Sequence, residues 1–140
     1  PLPMNHKNTK TQNPPIPWEC NHAARIIVDA AYVVHSTLGP GLLESIYETC
    51  LAHEVAKRGL NVLRQVPVPI LYDGVRVGAN LRIDVLVQDR VIVEVKAVDT
   101  FQDIHLAQVL TYLKLTSLRL GLLINFNVLN IGKGIMRVVL

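Results

Sequence analysis

Charge is scarce in this chain. Asp, Glu, Lys and Arg make up 18% of its 140 residues, below the roughly 25% of an ordinary soluble domain. Fourteen basic and 11 acidic groups leave a formal charge of +3, too small to announce a nucleic-acid partner by electrostatics alone. Such a partner has to be argued from a site. Aromatics are few, and Trp18 and Phe101 form no stacking ladder of the kind single-strand binders use. Cys20 and Cys50 are the only cysteines, which excludes a disulfide framework or a cysteine-rich zinc site. His22, His35 and His53 lack metal-ligand spacing. Long apolar runs are missing too. Arg, Asn, Asp or Gln interrupts every stretch before the roughly 18 residues that a membrane helix requires. Residues 1–17 are polar and proline-rich without an apolar centre, so they do not read as a secretory signal. These absences lead us to expect a cytoplasmic protein with no membrane association.

What is plentiful is apolar material, half of all residues, which excludes a disordered chain. The length suits one domain. An apolar excess in a short chain also leaves surface for a partner chain, and a homodimer is expected.

Residues 1–19 carry Pro1, Pro3, Pro14, Pro15 and Pro17 and read as a loose tail; residues 20–140 form the domain. From Asn21 the pattern turns helical, with Ala24, Ile27, Ala31, Val34 and Leu38 at spacings of three and four before Gly39. A second helix is expected from Pro40-Gly41 to Arg58, with Leu43, Ile46, Cys50 and Val55 as its apolar stripe and Gly59 as a left-handed cap. The period then changes. Val62 to Leu71, broken by Pro67 and Pro69, suits an edge strand. Asp73-Gly74 signals a hairpin, leading into a strand from Val75 to Val87 that is irregular at Gly78-Ala79-Asn80. Val91–Val98 follows as a third strand, and residues 103–117 as a helix. Leu118–Phe126 is a buried-strand run and Ile135–Val139 a last short strand. The order α-α-β-β-β-α-β-β predicts an α/β (α+β) domain, a mixed sheet flanked by helices.

The two central strands carry the chemistry. Arg82-Ile83-Asp84-Val85-Leu86-Val87 and Val91-Ile92-Val93-Glu94-Val95-Lys96 are nearly unbroken Val, Ile and Leu apart from Asp84, Glu94 and Lys96. Alternation puts Glu94 and Lys96 on one face of their strand. A three-residue loop, Gln88-Asp89-Arg90, pairs Asp84 with Glu94, their Cβ atoms roughly 4.5–5.5 Å apart. A two-residue loop pairs Asp84 with Val95 instead, on the wrong face. We adopt the three-residue loop. Like charges across a sheet are unfavourable, and a cation between them relieves the cost. Mg²⁺ is commonly held by one or two carboxylates together with water and phosphate oxygens. A neighbouring lysine can position water and stabilise phosphate charge. Elsewhere, Gly41, Glu44 and Tyr47 fall three apart on one expected helical face, and Gln108 and Tyr112 four apart on another.

Taken together these residues resemble the PD-(D/E)XK nuclease superfamily, and within it the GxxExxY proteins, whose helical motif stands here as Gly41 to Tyr47. The resemblance covers about residues 23–139, although Ile83 stands where the superfamily name has proline. It implies a restriction-endonuclease-like α-β-β-β-α-β core and Mg²⁺-dependent cleavage of phosphodiester bonds, with Mn²⁺ as a substitute ion. Asp84 and Glu94 would ligate the metal, with the backbone carbonyl of Val95 as a third ligand. Lys96 would orient or activate the attacking water, and Glu44 would be an additional catalytic acid. Gln108, Tyr112 and Tyr47 would border the substrate, nucleic acid and by family association DNA. The competing reading is a nuclease-like module that binds nucleic acid or protein without cutting.

Overall fold

Two helices open the chain. In the computed structural model, which describes residues 14–78 and 81–140, α1 spans Trp18–Leu38 and α2 Glu44–Lys57. Seven strands follow: β1 Val62–Pro67, β2 Leu71–Tyr72, β3 Val75–Arg76, β4 Arg82–Val87, β5 Val91–Lys96, β6 Leu120–Asn125 and β7 Ile135–Val139. Helix α3, Asp103–Thr116, joins β5 to β6, and a 3₁₀ turn at Ile131–Gly134 precedes β7. Five strands form one sheet in the order β1-β4-β5-β6-β7. All its neighbours are antiparallel except β5 and β6, whose parallel pairing requires the crossover that α3 supplies. This is the α+β, restriction-endonuclease-like architecture expected.

Two apolar layers sandwich the sheet. Ile27, Ala31 and Val34 of α1 and Tyr47, Leu51 and Val55 of α2 pack on Val85, Val93, Val95 and Ile124. On the other side Val109, Tyr112 and Leu113 of α3 pack on Leu86, Ile92 and Leu123. Strand β6 is buried along its whole length, as its unbroken apolar run anticipates. Its Gly121 lets α3 approach: a Cβ there would lie 2.7 Å from Val109 Cγ1.

Several elements depart from expectation. The run from Val62 to Leu71 splits into β1 and β2, and the run from Val75 to Val87 into β3 and β4. Asp73-Gly74 therefore closes only the small β2–β3 hairpin, a separate two-stranded sheet. Pro67 and Pro69 lack the amide donors to continue β1, and Gly78 takes a positive φ of 71°. Ala79 and Asn80 of the expected irregularity lie outside the described residues, as do residues 1–13 of the expected tail. Helix α1 starts at Trp18, before Asn21. Strand β1 is an edge strand, as its prolines suggested.

Helix α2 carries the larger correction. It starts at Glu44, not Pro40-Gly41, and buries Tyr47, Glu48, Leu51, Ala52 and Val55. Of the expected stripe only Val55 is in the core; Leu43 and Ile46 are exposed. Gly41, with a φ of 97°, lies in the preceding loop and takes Leu43 off the helix. Within the helix, docking on the sheet buries the face of Tyr47, Leu51 and Val55 rather than that of Ile46.

Candidate active site

The hairpin between β4 and β5 has the three-residue register: Val85 faces Val93, Leu86 faces Ile92 and Val87 faces Val91. Regular pairing stops at the next rung, where Asp84 meets Glu94. Side chains replace the ladder there. The Asp84 amide donates to Glu94 Oε1 at 3.2 Å, and the Val95 amide donates to Asp84 Oδ2 at 2.9 Å. The N–H and C=O of one strand residue project to the same side, so the Val95 carbonyl shares the gap into which its amide points.

Glu94 is 2% exposed. Burial, reinforced by the neighbouring Asp84 carboxylate, pushes its carboxyl up to about 9. Among the described residues neither acid has an ion-pair partner. The one nearby ammonium is turned elsewhere: Lys96 Nζ donates to Gln108 Oε1 at 3.2 Å. A lysine offers only donors, so the carboxamide oxygen must face it and its NH₂ must face away. Accordingly, Gln108 Nε2 donates to the Tyr112 hydroxyl at 3.0 Å. Residues 108 and 112 thus form a strut from α3 to Lys96.

Tyr112 is almost wholly buried, and burial, then the charge of Glu94, raises its hydroxyl above the ordinary value. It reaches the site through Gln108 and offers no open contact surface of its own. Tyr47 does not fit its expected substrate-facing role either. Its ring has no exposed area, stacks on Phe126 with centroids 4.7 Å apart, and its hydroxyl donates to Gly39 O at 2.6 Å while accepting the Leu42 amide. It anchors the loop before α2. Gly41 sits in that loop rather than on the helix, its amide donating to Asn127 Oδ1.

Glu44 is exposed at the first turn of α2. Partial burial raises its carboxyl, with Lys96 opposing the shift and Asp84 and Glu48 adding to it, so it lies within electrostatic reach of the strand acids. Among the described residues no three His, Cys, Asp or Glu side chains gather as a metal-holding group; Glu44 stands apart from the Asp84–Glu94 pair. The donors at the pair are all oxygen, two carboxylates and a carbonyl, which suits a hard divalent cation. The displaced acidity of Glu94 marks a place where added positive charge would be stabilising.

Two polar residues escaped the sequence reading. Glu48 lies buried one turn beyond Glu44, accepting from Arg64 Nη2 and from Gln65 Nε2, each at 2.7 Å. The available signal was its spacing of three and seven from Leu51 and Val55, which makes it a charge on the buried stripe. Asn125, at the end of β6, accepts from the Val98 amide at 3.1 Å and donates to the Val98 carbonyl at 2.8 Å, fixing the chain just beyond Lys96. His105, near the same end of α3, closes a capping box with Gln102.

An acid pair at a broken rung, Glu94 buried and Asp84 half-buried, a lysine two residues on and helices on both faces of a mixed sheet make up a nuclease-like fold with a candidate site. The family model of the PD-(D/E)XK nuclease superfamily matches residues 21–138, and the chain belongs to that superfamily. Its nucleases generally use divalent metal ions, and membership implies a nucleic-acid partner. No curated protein and no solved structure matches the chain. Among the described residues no helix is long and apolar enough to cross a membrane.

Proposed function

We propose that this protein is a Mg²⁺-dependent nuclease that hydrolyses phosphodiester bonds, with DNA as the favoured substrate and Mn²⁺ able to replace Mg²⁺. The observation that carries this reading is the Asp84–Glu94 pair, a half-buried and a buried carboxyl side by side, neither with an ion-pair partner among the described residues. Asp84, Glu94 and the Val95 carbonyl would hold the ion. When bound, the ion supplies the Lewis acidity that polarises a phosphodiester and eases ionisation of water. Lys96, steadied by Gln108, orients the attacking water and offsets charge on the phosphate. Glu44 supplies a further carboxylate at the rim for proton transfer. The test is incubation of single- and double-stranded DNA and RNA with the protein in Mg²⁺ or Mn²⁺, beside Asp84→Ala and Lys96→Ala. Cleavage lost in both variants supports the reading; no variant-sensitive cleavage of any substrate defeats it.

One observation favours the non-catalytic alternative. Both carboxylates already accept backbone amides, so the pair is satisfied without metal. Titration calorimetry with Mg²⁺ separates the two, because only a working centre needs the ion. We further propose a homodimer acting in the cytoplasm. Exposed Leu38, Leu42, Leu43 and Ile46 around the α1–α2 junction support a second copy, and the free cysteines Cys20 and Cys50 suit a reducing compartment. Sedimentation at several concentrations tests the association; a monomer throughout rejects it.

A further inference from the structure

Gln65 has a left-handed backbone at the rung of β1 and β4 that adjoins the acid pair. The register sets Arg64 against Val85 and Val66 against Ile83, so Gln65 stands opposite Asp84. Its φ is 52°, a region that residues with a Cβ enter seldom and hold only when their surroundings over-determine it. The two faces of the sheet also exchange here, on both strands. Val62 of β1 and Val85 of β4 belong to the layer under α1 and α2, whereas Val66 and Ile83 belong to the layer under α3. Strict alternation would keep Val62 with Val66 and Ile83 with Val85. The exchange falls between them, at Gln65 and Asp84.

Hydrogen bonds on both sides secure this conformation. Gln65 Nε2 donates to Glu48 Oε1 at 2.7 Å, tying the side chain to α2, and Arg82 Nη1 donates to the Gln65 carbonyl at 3.2 Å. Glu48 itself is 7% exposed and is fixed by Arg64 through Nε and Nη2. The Gln65 carboxamide is thereby committed to α2, on a carboxylate one turn beyond Glu44.

We infer that the left-handed backbone of Gln65, clasped by Glu48, is a positioning device that turns the Asp84 side chain out of the sheet's alternation and into the gap with β5, where it meets the Val95 amide. Gln65 touches neither ion nor substrate; it acts through Asp84. The geometric part stands on the metal-free chain, and its consequence for metal binding rests on the function proposed above.

The readout is hydrogen exchange of the Val95 amide in the metal-free 140-residue chain, followed by NMR and referenced to the amides of β6. Gln65→Gly and Gln65→Ala both delete the clasp, but glycine enters the left-handed region freely and alanine resists it. Asp84→Ala sets the rate of the released amide. We expect Gln65→Ala to speed Val95 exchange by on the order of tenfold relative to Gln65→Gly. Mn²⁺ affinity by calorimetry should fall in the same order. Equal protection of Val95 in the two variants overturns the inference, as does a Gln65→Ala chain with wild-type protection. A wild-type chain that binds no Mn²⁺ rejects the proposed metal centre instead, and the exchange comparison still decides the role of Gln65.

Discussion

Glu94 Oε1 accepts the backbone amide of Asp84 at 3.2 Å, so the two acids are joined through a bond that a regular ladder would give to a carbonyl. The acid that accepts is also the buried one, with its carboxyl held near 9. At neutral pH and without metal it is therefore a neutral group. Glutamine has the shape of that neutral form. We expect Glu94→Gln to leave metal-free stability at pH 7 within about 1 kcal/mol of wild type, while weakening Mg²⁺ binding by at least on the order of tenfold. Chemical denaturation and titration calorimetry measure the two effects separately. A variant that binds Mg²⁺ as tightly as wild type would remove Glu94 from the ligand set.

The same carboxyl gives the metal-free protein a defined pH dependence. Its value rises from 4.5 to about 9 on folding, so between those limits the native state binds more protons than the unfolded chain. Stability then falls as pH rises through that window, and below 4.5 the group contributes no difference because both states are protonated. A divalent cation favours the ionised form and counters the decline. Urea unfolding at about pH 5 and about pH 9, with and without Mg²⁺, should show stabilisation by the ion that is larger at the alkaline end. Equal stabilisation at both would separate ion binding from Glu94.

How much of this could be read in advance depended on which interaction set each feature. The Asp84–Glu94 rung was legible once a three-residue loop was adopted, because a hairpin register follows from loop length; a two-residue loop would have set Asp84 against Val95 instead. Strands β6 and β7 were legible from their apolar runs. The phase of α2 was not. Leu43 and Ile46 are as apolar as Leu51, and only docking against β4 and β5 decides which of them is buried. Nor was Gln65 legible, since nothing in Arg64-Gln65-Val66 signals a left-handed residue; Glu48 on another element holds it there. Tyr47 was misassigned for a related reason. Its spacing from Glu44 is real, but α2 presents it inward, onto Phe126.

The strut from α3 should separate metal binding from turnover if the proposed roles hold. Gln108 Oε1 accepts Lys96 Nζ, and the far side of the same amide is held by Tyr112. Gln108→Ala frees the ammonium without touching either acid. We expect nuclease kcat to drop by on the order of tenfold with the Mg²⁺ Kd unchanged. Tyr112→Phe, which removes one hydrogen bond worth about 1 kcal/mol, should give a smaller loss in the same direction. If Gln108→Ala weakens Mg²⁺ binding as much as it slows turnover, the strut supports the acids rather than the lysine.

Packing at a glycine remote from the acids should reach the same lysine. A methyl at position 121 would sit 2.7 Å from Val109 Cγ1, and Val109 is fully buried and next to Gln108. A β-branched side chain enclosed on all sides has little rotamer freedom to yield, so the strain falls on the spacing between α3 and β6. We expect Gly121→Ala to cost about 1–3 kcal/mol of stability and, in the chain that remains folded, to lower kcat by drawing Gln108 off Lys96. Val109→Ala added to Gly121→Ala makes room for the new methyl. The pair should recover turnover beyond what either single change predicts by addition, a coupling that denaturation and kinetics on all four proteins would measure. Strictly additive effects would mean that the contact does not set the spacing on which Lys96 depends.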